Sequence, residues 1–380
     1  MLLLIGEVMT TSSAADGMRI TRGIELSQHI VSPYAIVRTP DGGYVVAGSS
    51  SVSNTHGWAA RLDSTGKPLW EYLDGPANDW GISPGIDRFS SAIVLPDNRV
   101  LLCGTRNPEP TKLEPGGRIP ERKGKPNVAG RLVIVDADGH HLARDIYPQG
   151  DSQKYYTEVQ TCLAWSDGVA LVGSASEPTG SRFGWLVKLD LTGKFIWEKV
   201  EPFKLALDAV EAADHDLLVL SWTYEAQGTY ARLDKIDHEG NIVLTRQVDG
   251  GDWAGFVRPL SGASMITIVT IDRNLVTRRI RLDHSLNVAT SASIGKFSTH
   301  RNWFLADQSI AMFGSIFDRG DTAAVGYVRN NHAVDVYPLK PLHDSGWFDD
   351  AVPAGNASEF ATVRVSLSGR PVLAWLSLSR

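Results

Sequence analysis

Four stretches place an aromatic ring beside groups that could hold a polar ligand: Asp79-Trp80, Asp252-Trp253, His300-Arg301-Asn302-Trp303 and Trp347-Phe348-Asp349-Asp350. Ring faces stack on the C–H face of a sugar while neighbouring carboxylates accept its hydroxyls, so Trp80, Trp253 and Trp347 are candidate carbohydrate contacts, with Arg301 and Trp303 in a comparable place on the candidate ligand face. The acids Asp79, Asp252, Asp349 and Asp350 could instead form the carboxylate pair of a hydrolase or lyase. Rings at strand starts also plug gaps between packed sheets, and that bland reading is the favoured one. Irregular spacing argues against one site per repeat.

A second group of chemically active residues lies in a Pro- and Gly-rich segment of residues 106–130. It carries Arg106, Lys112, Arg118, Arg122, Lys123 and Lys125. Such a segment is too polar to pack as core, so it is either a tolerated insertion or an interaction arm suited to an acidic surface. Other chemistry is missing from the sequence. It has no Gly-x-Ser-x-Gly elbow, phosphate-binding loop, dinucleotide fingerprint or His-x-x-x-His array, so neither a cofactor nor a metal is expected.

These candidates depend on the elements that position them, and those are set by a repeat. Trp58-Ala-Ala-Arg-Leu-Asp63-Ser-Thr-Gly66-Lys-Pro-Leu-Trp70 returns as Trp185-Leu-Val-Lys-Leu-Asp190-Leu-Thr-Gly193-Lys-Phe-Ile-Trp197. The Asp position continues at Asp136, Asp237 and Asp283 and degenerates at Asn330 and Arg380; the Gly position continues at Gly139 and Gly240. Each unit reads as four short strands with Gly/Asp turns, and the period of roughly 46–50 residues is that of propeller blades. A unit of this kind buries its apolar faces only by stacking on copies of itself.

The last copy stops after three strands, while Asp16-Gly17-Met-Arg-Ile-Thr-Arg22 aligns with the missing outer strand. The expectation is therefore an all-β, seven-bladed β-propeller of four-stranded blades, closed by an N-terminal strand. Six or eight blades are the alternatives. The propeller occupies 16–380, preceded by a tail or signal remnant at 1–15.

Asp-x-x-Gly-Lys-x-x-Trp resembles the repeat of pyrroloquinoline-quinone-type propellers and their non-enzymatic relatives. The opening Asp41-Gly-Gly-Tyr-Val-Val-Ala-Gly48 looks like that of bacterial cell-surface and secreted propellers. A quinone-dependent dehydrogenase of that family would carry eight blades, a vicinal Cys-Cys pair and a calcium cluster, none of which this chain shows. The resemblance therefore implies the non-enzymatic branch.

Composition narrows the partners. A net charge of −6 argues against a sequence-independent grip on nucleic acid. No apolar run is long enough to cross a bilayer as a helix. The two cysteines, Cys103 and Cys162, sit in apolar strand-like runs. Buried, inert thiols are the expectation, with a disulfide between neighbouring blades as the alternative in an exported protein. Periplasmic or secreted placement is expected, with the cytoplasm as alternative. Together these readings predict a non-catalytic binding protein, monomeric alone, that takes a protein partner on its loop-rich face, of immunity or assembly type. A lectin-like propeller and a hydrolase or lyase with carboxylates at the channel mouth are the rival readings.

Overall fold

The structure is a computed structural model. It describes residues 18–26, 31–50, 56–74, 87–106, 128–148, 155–177, 181–202, 204–225, 228–248, 253–258, 266–271, 276–283, 285–296, 298–304, 309–316, 322–328, 335–338, 348–354, 359–365 and 371–378. Strands dominate because short β-branched runs are cut every few residues by Asp/Gly turns, too often for a helix to establish itself.

The first sheet is a meander of β2 (Val31–Arg38), β3 (Tyr44–Ser50), β4 (His56–Leu62) and β5 (Pro68–Leu73). The second is β6 (Arg88–Val94), β7 (Val100–Arg106), β8 (Ala129–Val135) and β9 (His141–Ile146). The third comprises β10 (Tyr156–Trp165), β11 (Gly168–Ser176), β12 (Arg182–Asp190) and β13 (Phe195–Pro202), and the fourth β14 (Lys204–Glu211), β15 (Leu217–Glu225), β16 (Gly228–Ile236) and β17 (Ile242–Val248).

An eight-stranded sheet follows. Its halves are β18 (Trp253–Arg258) to β21 (Val288–Lys296), through β19 (Ile266–Ile271) and β20 (Val276–Leu282), and β22 (Ser298–Phe304) to β25 (Asp335–Pro338), through β23 (Ile310–Ile316) and β24 (Thr322–Val328). The last sheet unites the two ends of the chain, in the order β1 (Met18–Glu25), β28 (Pro371–Leu378), β27 (Glu359–Val365), β26 (Phe348–Pro353).

The architecture is thus an all-β propeller of four-stranded blades. Where the sequence predicts seven separate sheets, with six as an alternative, hydrogen bonding among the described residues forms six. The difference lies in the eight-stranded sheet, whose halves are joined because Val257 and Arg258 of β18 pair in parallel with Asn302 and Trp303 of β22. The predicted clasp is present. Met18 pairs with Leu378 and Glu25 with Val372, so the N-terminal strand covers what would be an open edge of the terminal sheet.

The repeated turn residues do what their chemistry demands. Asp63 Oδ1 accepts the backbone N–H of Thr65 and Lys67, and Asp190 Oδ1 those of Thr192 and Lys194. Gly66, Gly139, Gly193 and Gly240 all lie at φ between 81° and 89°, a region where a Cβ is penalised. In the fifth repeat Leu286 takes this position at φ 59°.

The same glycines admit the neighbouring sheet. A Cβ on Gly66 would stand 2.8 Å from Trp375, and the Trp70 side chain lies 3.5 Å from where that of Gly139 would be. Arg144 and Trp197 approach Gly193 and Gly240 in the same way. Trp58 and Trp185 are buried, so the predicted packing role of the repeated tryptophans holds.

The core is divided among the seams between sheets. One cluster joins Leu101, Cys103 and Leu132 to Val159, Leu171 and Trp185. Within it the expectation of inert thiols is corrected. Cys103 and Cys162 form a disulfide between the second and third sheets, their Cα atoms 6.4 Å apart. Alternation along β7 and β10 turns both residues into one seam, which their separation in sequence conceals. Among the described residues no helix is long and apolar enough to cross a membrane.

Candidate functional site

In each meander, the loop from second to third strand and the loop leaving the fourth strand emerge at the same end, opposite the Asp turns. At that end β7 finishes at Arg106 and β8 begins at Ala129, and there lies a buried ionic cluster. Arg131 grips Asp74 side-on, Nε donating to Oδ2 at 2.8 Å and Nη2 to Oδ1 at 2.6 Å, and its Nη1 donates to Asp145 Oδ1 at 2.8 Å. Tyr72 Oη donates to Asp74 Oδ1 at 2.9 Å, and the Asp74 N–H donates to Gly57 O. Arg106 Nη1 lies 3.9 Å from the same Asp145 oxygen.

Asp74 is 4% exposed and Arg131 7%, so the pair is withdrawn from screening solvent. Burial pushes the Tyr72 phenol up, and the Asp74 charge adds to it. For Arg131 burial pulls the pKa down, but the hydrogen bonds and charges of Asp74 and Asp145 outweigh it and the net shift is upward. Two cations face two carboxylates here, so the cluster clamps the first sheet to the second and is neutral overall. Arg106, expected as an arm cation, is therefore held at the arm's root. Lys112, Arg118, Arg122, Lys123 and Lys125 lie outside the described residues.

Sequence reasoning missed this cluster, although it had a signal. Arg131 and Arg232 stand four residues before the end of their third strands, where Trp58 and Trp185 stand relative to Leu62 and Leu189. A charge in the place of a buried indole requires a buried acid.

The second feature is the central channel. A cavity of about 180 Å³ is walled by Ala35, Ser91, Thr161, Trp303 and Asp350, among others, all from the first strands of their meanders. These strands share an irregularity: the register shifts at Pro33/Ala35, Phe89/Ser91, Val159/Thr161, Ala206/Asp208, Thr299/Arg301 and Phe348/Asp350. Such bulges bend an edge strand and blunt its capacity to pair with another chain.

Side chains stitch the wall together. Ser90 Oγ donates to Val159 O at 2.6 Å, and Trp303 Nε1 donates to Ala351 O at 2.7 Å. Asp350, 4% exposed, accepts from Ile36 N–H at 2.9 Å and from Ala351 N–H at 2.8 Å.

Of the predicted ligand-face residues, the structure brings Trp303 and Asp350 to one cavity and gives both a structural task. Trp253 opens β18, Arg301 lies in β22 and Asp349 is the bulged residue of β26. Asp79, Trp80, Asp252 and Trp347 lie outside the described residues.

A third grouping sits at the opposite end, where Asp136, Asp138 and His140 offer ligand atoms within 4.8 Å of one another. Asp136 Oδ1 accepts from the Asp138 and His140 N–H groups, which is the repeat's ordinary turn.

No family model matches the chain, and no curated protein matches it. Solved structures do. A WD40 β-propeller domain of Doa1 superposes with a TM-score of 0.56 at 11% identity, covering 96% of this chain and 97% of that one. A Dos1 propeller superposes with a TM-score of 0.55 at 10% identity, covering 91% and 78%. At such identities the likeness establishes the propeller fold.

Proposed function

We propose that this chain is a non-catalytic interaction propeller that docks a protein partner on the loop-bearing end, with residues 107–127 as its arm. The observation that carries the reading is the asymmetry of the two ends. One repeats the same Asp-capped turn, whereas the other carries the longest insertion in the sequence, and the residue that precedes it, Arg106, lies 3.9 Å from the Asp145 of a buried ionic clamp. That segment holds five cations against three glutamates in a chain of net charge −6, which suits an acidic partner surface. Immunity- or assembly-type antagonism is the concrete form we favour. The test is deletion of residues 108–128 followed by capture of the partner; capture at wild-type level removes the arm from the proposal.

Two finer points belong to the same reading. The parallel bridge in the eight-stranded sheet spans only two residue pairs, and each half is a complete four-stranded meander, so we count it as two blades of a seven-fold ring. The buried disulfide favours an oxidising compartment, periplasmic or secreted. Thiol labelling of denatured protein taken directly from its native compartment checks this, since two labelled cysteines would contradict it. The carbohydrate alternative rests on Trp80, Trp253 and Trp347.

A further inference from the structure

A charge occupies a core position in β20. At the register that Arg279 holds there, five of the other third strands carry Ala59, Leu132, Leu186, Leu233 and Val325, all buried and apolar. Arg279 pairs with Val269 of β19 and Ala292 of β21 and is only 4% exposed. Alternation decides which way it points. Ile268, Ile280 and Leu282 pack into the cluster shared with Leu218, Leu220 and Leu233 of the fourth sheet, so Arg279 lies on the opposite face, towards β22–β25.

Among the described residues, two of its guanidinium nitrogens, Nε and Nη2, are buried without a hydrogen-bond partner, and so is the hydroxyl of Thr267 on the same face. Burial, and behind it the charge of Arg281, pulls the guanidinium's pKa down. An uncompensated buried cation is among the costliest features a fold can carry.

The identity of the vacant donors defines the missing group. Nε and Nη2 form the side-on edge of a guanidinium, the pair with which Arg131 holds both oxygens of Asp74. That edge fits two coplanar oxygens at hydrogen-bonding distance. We propose that Arg279 is the base of an oxyanion site in the seam between β18–β21 and β22–β25, taking a carboxylate or phosphate group side-on. This site is independent of the partner-docking end.

The experiment is thermal unfolding of the full chain in chloride, acetate, malonate and phosphate at matched ionic strength, for wild type, R279L and R279K. Wild type is expected to gain about 3 °C at a hundredfold excess of the effective anion over its Kd. Whether carboxylates or phosphate produce the gain identifies the source of the oxyanion. R279L should lose the response and, in chloride, unfold no lower than wild type, because leucine restores the apolar position. R279K keeps the charge without the fork and should lose most of the response. Three results would overturn the proposal: no oxyanion response in wild type, an equal response in R279L, or R279L unfolding several degrees below wild type in chloride. The last would show that an acid of the chain itself already holds Arg279.

Discussion

Asp74→Asn tests the Arg131–Asp74 clamp. The carboxylate accepts three side-chain hydrogen bonds, two from Arg131 and one from Tyr72, at 2.6 to 2.9 Å and 4% exposure. An amide offers one acceptor oxygen and no charge, so Arg131 keeps only the more exposed Asp145. Removing one member of a buried ion pair costs about 3–5 kcal/mol. At roughly 2.1 cal/mol/K per residue, the 380 residues give an unfolding entropy of about 0.8 kcal/mol/K, so the loss amounts to about 4–6 °C in Tm. Arg131→Met should cost a similar amount. The double variant Asp74→Asn/Arg131→Met should cost less than the sum of the single changes, since no buried charge of the Arg131–Asp74 pair is left unpaired. Circular dichroism melts of the four proteins close the cycle, and repeating them in 0.5 M NaCl should change little. Single shifts under about 1 °C, or a double variant equal to the sum of its parts, would refute the buried-clamp argument.

Three further outcomes follow from the same structure. Replacing Cys103 and Cys162 by alanine releases a 59-residue closure and should cost about 4 kcal/mol by chain entropy, an upper figure checked by urea unfolding with and without reductant. Leu286→Gly relieves a left-handed conformation worth about 1 kcal/mol but removes a fully buried core side chain. A net loss of about 1–3 kcal/mol is expected, and a more stable variant would mean that strain outweighs packing. The Asp190 carboxyl is held below its usual range, first by the Thr192 hydroxyl and then by the Lys194 N–H. Its stabilisation is therefore full above the usual carboxylate pKa and fades as pH falls through the lower folded value. Asp190→Asn should flatten that acid limb and leave the curve above about pH 5 parallel to wild type.

Much of the architecture was legible because repetition is self-reporting. Asp63, Gly66 and Trp70 each serve a local need, capping a turn, taking a positive φ or covering the next glycine, and the need recurs in every unit. The site was less legible. Trp303 and Asp350 were singled out from their types, and only coordinates show that both are engaged in holding neighbouring first strands together.

By itself, then, the sequence determined the all-β repeat, the turn chemistry and the exchange of the terminal strand, because those depend on residues close in the chain or on an unmatched strand at each end. The Cys103–Cys162 bond, the Arg131–Asp74 clamp, the joining of β18 to β22 and the unpaired edge of Arg279 were decided by tertiary structure. Each depends on which face of one sheet meets which face of the next, and that pairing is set by ring closure over long sequence separations rather than by local composition.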